Sequence, residues 1–372
     1  MVGVNRYIPV LLLLNIIITI SCSNQQTKPQ MILTKKKKSK IASFQLFTLS
    51  NLNGLNCSLS NYGARVISLF APDRNGDFKD IIVGYDSAED FYTKHDAYYG
   101  ATVGRYANRI KDGIFKIDDK KFQLAINNGN NALHGGVKGF DKQYWNVVST
   151  SKNSVKFSYT SKDMEEGYPG ELFIEVTYVL TDKNELEISY KATSSKKTVI
   201  NVTNHAYFNL TGSTKNDILS HKLLINSDFI TEVDTNVIPT GELYPVENSP
   251  FDFRKMKTIG KEINLKNEQL NLGGGYDHNF VLNSKELAAK VVDPISGRTL
   301  EVYTTEPGIQ LYTGNFLRGV IGKNDEPINK RTAFCLETQH FPDSPNKPQF
   351  PSTILDVGQV FTSKTIYRLG VE

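Results

Sequence analysis

The residues of this chain that could do chemistry gather in five short segments. The first is TNHAYFNL, Thr203 to Leu210. His205 stands there among Asn204, Tyr207 and Asn209, so amides and aromatic rings alternate around an imidazole. Histidine titrates near neutral pH and can give or take a proton under working conditions. Aromatic faces beside hydrogen-bonding amides are what a sugar ring needs. A histidine inside a strand is nonetheless more often a satisfied structural group, so the segment gains meaning only from its companions.

Four companions exist. ATVGRYANRI holds Arg105, Asn108 and Arg109 in a small, apolar setting. NALHGG puts His134 on a glycine-rich turn, and GGGYDHNF places Asp277 after three glycines. LETQHFPDSPN sets Glu337 at the end of an apolar stretch, Ala333 to Leu336, where the strand is expected to open into a loop. A carboxylate at the mouth of a β-structure is partly desolvated, which raises its pKa toward that of a useful base. Each has an ordinary reading too. Arg109 could pair with a carboxylate, His134 could be a turn residue, Asp277 could form an Asx-turn, and Glu337 could lie on the surface. His278 follows Asp277 directly. Successive strand residues point to opposite faces, so only one of the two can serve a shared site, and Asp277 is the one expected there.

The elements that must position these groups are strands. Leu172, Ile174, Val176, Tyr178 and Leu180 alternate with Phe173, Glu175, Thr177 and Val179, and the alternation resumes from Leu186 to Ala192 after a short polar link. Period two on both sides of turn chemistry predicts a hairpin. GIFKIDDKKFQLAI and KVVDPISGRTLEVYTT predict two more. Short helical turns are expected at Ser87 to Tyr92 and Asp252 to Met256, and no long amphipathic helix is visible. Many strands at short spacing predict an all-β sandwich or barrel, and residues 42–372 show no composition break that would divide them. No GxGxxG or GxxxxGK[ST] run is present, which removes support for nucleotide phosphate binding.

The chain has 372 residues and a net charge of +4, an ordinary globular balance. Basic residues do not interleave with aromatics, which argues against nucleic acid. The N-terminus reads as a targeting segment: Arg6, then an apolar stretch from Ile8 to Ile20, then Ser21-Cys22. TISC resembles a bacterial lipoprotein box, with Thr19 where leucine is commonest. The reading is a signal peptide over 1–21, a lipidated Cys22, a lysine-rich tether over 22–41 and one domain over 42–372, exported to the periplasmic face of a bacterial membrane. Ser23 favours the outer membrane by the same resemblance. Cys57 and Cys335 have neither disulfide-framework nor metal-ligand spacing.

Taken together, GRYANRI, LHGGVKGFDKQYW, EGYPGEL, TNHAYFNL, GGYDHNF, PGIQLYTGN and LETQHFPDSPN, in that order, resemble the aldose 1-epimerase (galactose mutarotase) family from about Asn61 to the C-terminus. The resemblance implies a large antiparallel β-sandwich, a galactose mutarotase-like supersandwich with few short helices and an open sugar cleft. It implies interconversion of the α and β anomers of a free aldose such as D-glucose or D-galactose, without metal or organic cofactor. In that scheme Glu337 takes the proton of the C1 hydroxyl and His205 protonates the ring oxygen. The open aldehyde then turns about C1–C2 and closes on its other face. His134 matches a histidine near the reacting oxygens. Asn108, Arg109, Asp277 and Gln310 match sugar-hydroxyl contacts, with Tyr207 as a further contact beside His205.

Two other functions fit the same residues less well. A sugar-binding lipoprotein without turnover would not need a paired acid and base. A glycoside hydrolase using Asp277 and Glu337 would need its carboxylates about 5 to 9.5 Å apart on either side of a glycosidic bond. Monomer and homodimer are both open.

Overall fold

The computed structural model describes residues 43–94, 97–284 and 286–372. The expected signal peptide over 1–21, the lipidation site Cys22 and the tether over 22–41 lie outside the described residues. Ala42–Glu372 form one compact unit.

Two antiparallel sheets supply most of its core. A nine-stranded sheet contains Leu172–Leu180, Glu185–Ser194, Leu287–Val292, Arg298–Thr304 and the long C-terminal strand Phe361–Val371 among its members. A seven-stranded sheet runs in the order Pro239–Pro245, Ser227–Val233, Asp277–Leu282, Gly308–Tyr312, Phe334–Gln339, Tyr207–Phe208, Ile82–Val83. Ile174, Val176 and Tyr178 of the first sheet share one buried cluster with Phe280, Ile309, Leu311, Phe334 and Leu336 of the second. Polar links also join the sheets: Thr338 meets Thr365 at 2.5 Å, and Tyr367 donates to the carbonyl of Leu336 at 3.0 Å. The alternating residues of the predicted hairpin pair with Leu180 opposite Leu186. The other two expected hairpins form as Ile114–Ile117 with Lys120–Gln123 and Leu287–Val292 with Arg298–Thr304.

The short helices divide. Ala88–Thr93 is helical, with Ser87 as N-cap accepting from the Glu89 amide. Asp252–Met256 is not helical: the Asp252 carboxylate accepts from Arg254 N at 3.2 Å and Nε at 2.9 Å, and this local bond replaces a helical turn. Another α-helix among the described residues is Glu268–Gly273, capped by Asn267 and closed by Gly274 at φ +66°.

Candidate active site

The site lies on the face of the seven-stranded sheet that turns away from the core. Register sets it. Gln310 pairs with Glu337 on one side and with Asn279 on the other; Tyr312 pairs with Cys335 and with Asp277. With a side-chain period of two, Asp277, Asn279, Gln310, Tyr312, Cys335 and Glu337 share one face, while His278, Phe280, Ile309, Leu311, Phe334 and Leu336 share the other. Apart from the half-buried Tyr312, both faces are buried. One is apolar and meets the second sheet; the other carries the polar side chains of Asp277, Asn279, Gln310 and Glu337. Glu337 therefore sits inside the strand Phe334–Gln339 and not at its end, as the apolar-to-polar change in the sequence suggested.

Glu337 is 2% exposed and His205 4%. Oε2 of Glu337 lies 3.5 Å from Nε2 of His205. That oxygen has no hydrogen-bond donor among the described residues. Burial raises the carboxyl well above its usual range, the nearby Asp277 raises it further, and Arg109 opposes both. The rings of Tyr207 and Tyr98 lie nearly parallel to the His205 ring, with centroids 5.0 and 5.8 Å away. They fix its plane. The Tyr207 hydroxyl donates to the carbonyl of Ala97 at 3.0 Å, and the residue is 2% exposed. The Tyr207 ring thus lies against the imidazole while its hydroxyl hydrogen is engaged by Ala97.

His134 reaches the site from the turn after Ala132–Leu133, and its ring centroid is 5.1 Å from that of His205. Its backbone has φ +52°, and Asn108, which it faces, has φ +65°. Two non-glycine residues in the left-handed region persist because each holds the other. The His134 amide donates to the Asn108 carbonyl at 3.1 Å, and the Asn108 amide donates to Nδ1 of His134 at 3.1 Å. Gly135 makes the fit possible, since a Cβ there would lie 1.9 Å from the Gly104 carbonyl oxygen. An Nδ1 that accepts a backbone N–H places the ring proton on Nε2. Burial, then the neighbouring His205 and Arg109, push His134 well below the usual histidine range, so the ring is a neutral donor.

Arg109, Asp277 and Gln310 form a linked group. Gln310 Nε2 donates to Asp277 Oδ1 at 2.7 Å, and Arg109 Nη2 stands 3.8 Å from Asp277 Oδ2. Asn128 accepts from Arg109 Nε at 3.2 Å. These groups present cationic, anionic and amide edges side by side, a surface suited to a ring of hydroxyls. His278 turns into the core against Phe251, as the parity of the strand requires. His340 pairs with Glu306 at 2.6 Å. Arg105, from the same segment as Arg109, is structural: fully buried, it donates to the carbonyls of Pro169 and Gly170 at 2.8 Å and to Ser161 Oγ at 2.6 Å.

Tyr98 was not read from the sequence. The signal was the pair Tyr98-Tyr99 just before ATVGRYANRI, but the two rings part company. Tyr98 stands against His134 with centroids 4.6 Å apart, while Tyr99 packs on Tyr207 at 5.0 Å within an apolar cluster.

His134, His205 and Glu337 offer ligand atoms within 4.8 Å of one another. The wiring opposes a metal there. A metal would need the lone pair of His134 Nε2, and the Asn108 amide puts the proton on that atom.

The fold is thus a two-sheet sandwich with a buried imidazole–carboxylate pair on the polar face of one sheet, the architecture of a mutarotase-like enzyme. The chain belongs to the aldose 1-epimerase family, which it matches over residues 45–368. It is 45% identical over 321 residues to galactose mutarotase from Homo sapiens, covering 85% of this chain and 92% of that protein. It is 38% identical over 335 residues to aldose 1-epimerase from Escherichia coli K12, covering 88% and 96%. Among solved structures, the GalM/aldose epimerase homologue from C. elegans aligns with a TM-score of 0.82 at 33% identity, over 88% of this chain and 99% of that one.

Proposed function

We propose that Glu337 and His205 carry the mutarotase reaction of this enzyme, as base and acid. The observation that carries this reading is the buried 3.5 Å approach of Glu337 Oε2 to His205 Nε2, with His134 and the Arg109–Asp277–Gln310 group beside them. The enzyme interconverts the α and β anomers of free aldoses. Glu337 takes the proton of the C1 hydroxyl while His205 gives one to the ring oxygen, and the C1–O5 bond opens. Rotation about C1–C2 presents the other face of the aldehyde. The ring oxygen then attacks C1, His205 recovers its proton, and Glu337 returns one to O1. Proton count is unchanged over the cycle, so neither redox group nor co-substrate is required. His134, held neutral with its proton on Nε2, donates to a sugar oxygen near the reacting centre. Asn108, Arg109, Asp277 and Gln310 hold the remaining hydroxyls. Positioned groups of this kind contribute roughly 10²- to 10⁴-fold each.

The same reading extends to the N-terminus. The segment 1–21 directs export, and Cys22 carries the lipid that holds the domain at the periplasmic face. The substrate partner is a free aldose.

Polarimetry of freshly dissolved α-D-glucose or α-D-galactose tests the assignment. The wild type speeds equilibration, and both Glu337→Gln and His205→Asn lose that acceleration while remaining folded. Full activity in either variant refutes the assigned pair.

A further inference from the structure

We propose that Cys335 is a positioning residue for His205, its sulfur accepting the Nδ1 hydrogen so that Nε2 is the nitrogen that exchanges a proton with the sugar. The proposal rests on the acid role given to His205 above.

Cys335 Sγ lies 3.5 Å from His205 Nδ1, and the thiol is fully buried. The opposite edge of the ring, Nε2, faces Glu337. Cys335 and Glu337 are two residues apart on one strand and share one face, so a single backbone segment addresses both nitrogens. The thiol is a neutral group here, because burial and then the carboxylates of Glu337 and Asp277 raise it well above its usual range.

A neutral sulfur is a weak acceptor. That weakness suits the chemistry. The protonated imidazole has hydrogens on both nitrogens. When Nε2 gives its proton to the ring oxygen, the neutral ring keeps Nδ1–H against sulfur and exposes a bare Nε2 to take the proton back. A carboxylate behind Nδ1 would hold the cation more tightly and make it a poorer acid. The two histidines of the site are thereby wired in opposite senses. His134 has its proton on Nε2, set by the Asn108 amide, and His205 has its fixed proton on Nδ1, set by Cys335.

Two measurements test this. In ¹⁵N-histidine NMR of the wild-type enzyme at alkaline pH, with the resonance assigned by its loss in His205→Asn, the expected neutral tautomer of His205 carries its proton on Nδ1. Finding it on Nε2 overturns the proposal without any change to Cys335. In the second, Cys335→Ala lowers kcat about tenfold with KM within about twofold, the scale of one hydrogen bond to a charged group. Its basic limb in kcat/KM moves to lower pH, because the imidazolium has lost an acceptor, whereas Cys335→Ser restores most of the rate. Glu337, His134, Tyr98 and Tyr207 also face His205 and are unchanged in this variant. A Cys335→Ala enzyme with unchanged rate and limb also overturns the proposal. Activity surviving His205→Asn would instead refute the acid assignment, and the tautomer would still be decided by NMR.

Discussion

Glu337 and Gln310 stand directly opposite one another on adjacent strands, yet Gln310 gives its amide hydrogen to Asp277 and not to Glu337. The sheet thus brings a carboxylate into a buried row and withholds the donor that would quiet it. Burial and the neighbouring negative charge then hold its pKa well above the ordinary value. A carboxylate so placed binds a proton more readily because its surroundings solvate the anion poorly.

The same feature predicts a trade between stability and activity. Between the unfolded carboxyl pKa and the raised folded one, the native state binds more protons than the unfolded chain, so stability falls as pH rises through that window. Glu337→Gln removes the anion and keeps the shape. At pH 7 the variant is expected to be more stable by on the order of 1 kcal/mol, while catalysis falls by roughly 10²- to 10⁴-fold. Thermal unfolding and polarimetry on one preparation check both, and a less stable Glu337→Gln protein contradicts the argument.

The pH dependence of kcat/KM follows with a definite sign. In the proposed assignment activity needs Glu337 ionised and His205 protonated, so it is expected to rise through the first titration and fall through the second. Because Glu337 is raised, the rising limb is expected well above the usual carboxylate range near 4.5. The two groups are coupled at 3.5 Å, so each limb belongs to the pair. A rising limb at or below the ordinary glutamate value would show that the carboxylate is not buried in the working enzyme.

Asp277 ties Arg109 to Gln310, and its replacement should act on binding more than on chemistry. Asp277→Asn keeps the shape but removes the charge that Arg109 faces at 3.8 Å. KM for galactose is expected to rise about tenfold, the scale of one charge-assisted contact, with a smaller change in kcat. Initial rates over a range of galactose concentrations separate the two. An effect confined to kcat would place Asp277 in the chemical step.

How far the sequence could be read depended on what each residue's polarity was turned toward. The hairpin at Leu172 to Ala192 was legible because one face meets the core and the other is more exposed, which yields a clean period of two. The strand Phe334–Gln339 was misplaced by one end because its polar face is buried as fully as its apolar one. Polar residues there imitate a loop. Parity alone separated Asp277 from His278, but no pattern separated Tyr98 from Tyr99, since both rings are apolar and either could have faced the site. Tyr207 was read as a sugar contact from its place beside His205 in TNHAYFNL. Its hydroxyl bond to Ala97 is a contact between distant segments, which local sequence cannot register.

Arg105 and Arg109 look alike in ATVGRYANRI and serve different ends. Burial lowers the Arg105 guanidinium to about 10, yet it stays charged at neutral pH and is held by the Pro169 and Gly170 carbonyls and the Ser161 hydroxyl. Lysine has the charge without the planar fork of donors. Arg105→Lys is therefore expected to destabilise the fold by on the order of 3 kcal/mol while KM stays near the wild-type value. Denaturant unfolding with parallel kinetics measures this, and a raised KM at unchanged stability would move Arg105 to the binding group.

The proposed lipid anchor makes a prediction independent of the catalytic site. Diacylglycerol attached to Cys22 adds two acyl chains, and two chains are what stable membrane anchoring takes, each buried methylene contributing about 0.8 kcal/mol. The full chain expressed in a bacterial host should therefore partition with membranes and release only with detergent. Its mature N-terminal peptide should begin at Cys22 and carry the mass of the lipid. Cys22→Ser should move the protein to the soluble fraction with its polarimetric activity intact, because the residues assigned to catalysis all lie in the domain that begins at Ala42. The lysines at 35–38 and 40 could hold some protein on anionic lipid by charge alone, about 1 kcal/mol for each cation near the surface. High salt separates the two cases: charge-held protein washes off, and lipid-held protein does not. A mature N-terminus elsewhere than Cys22, with no added lipid mass, would refute the anchor and leave the catalytic assignment untouched.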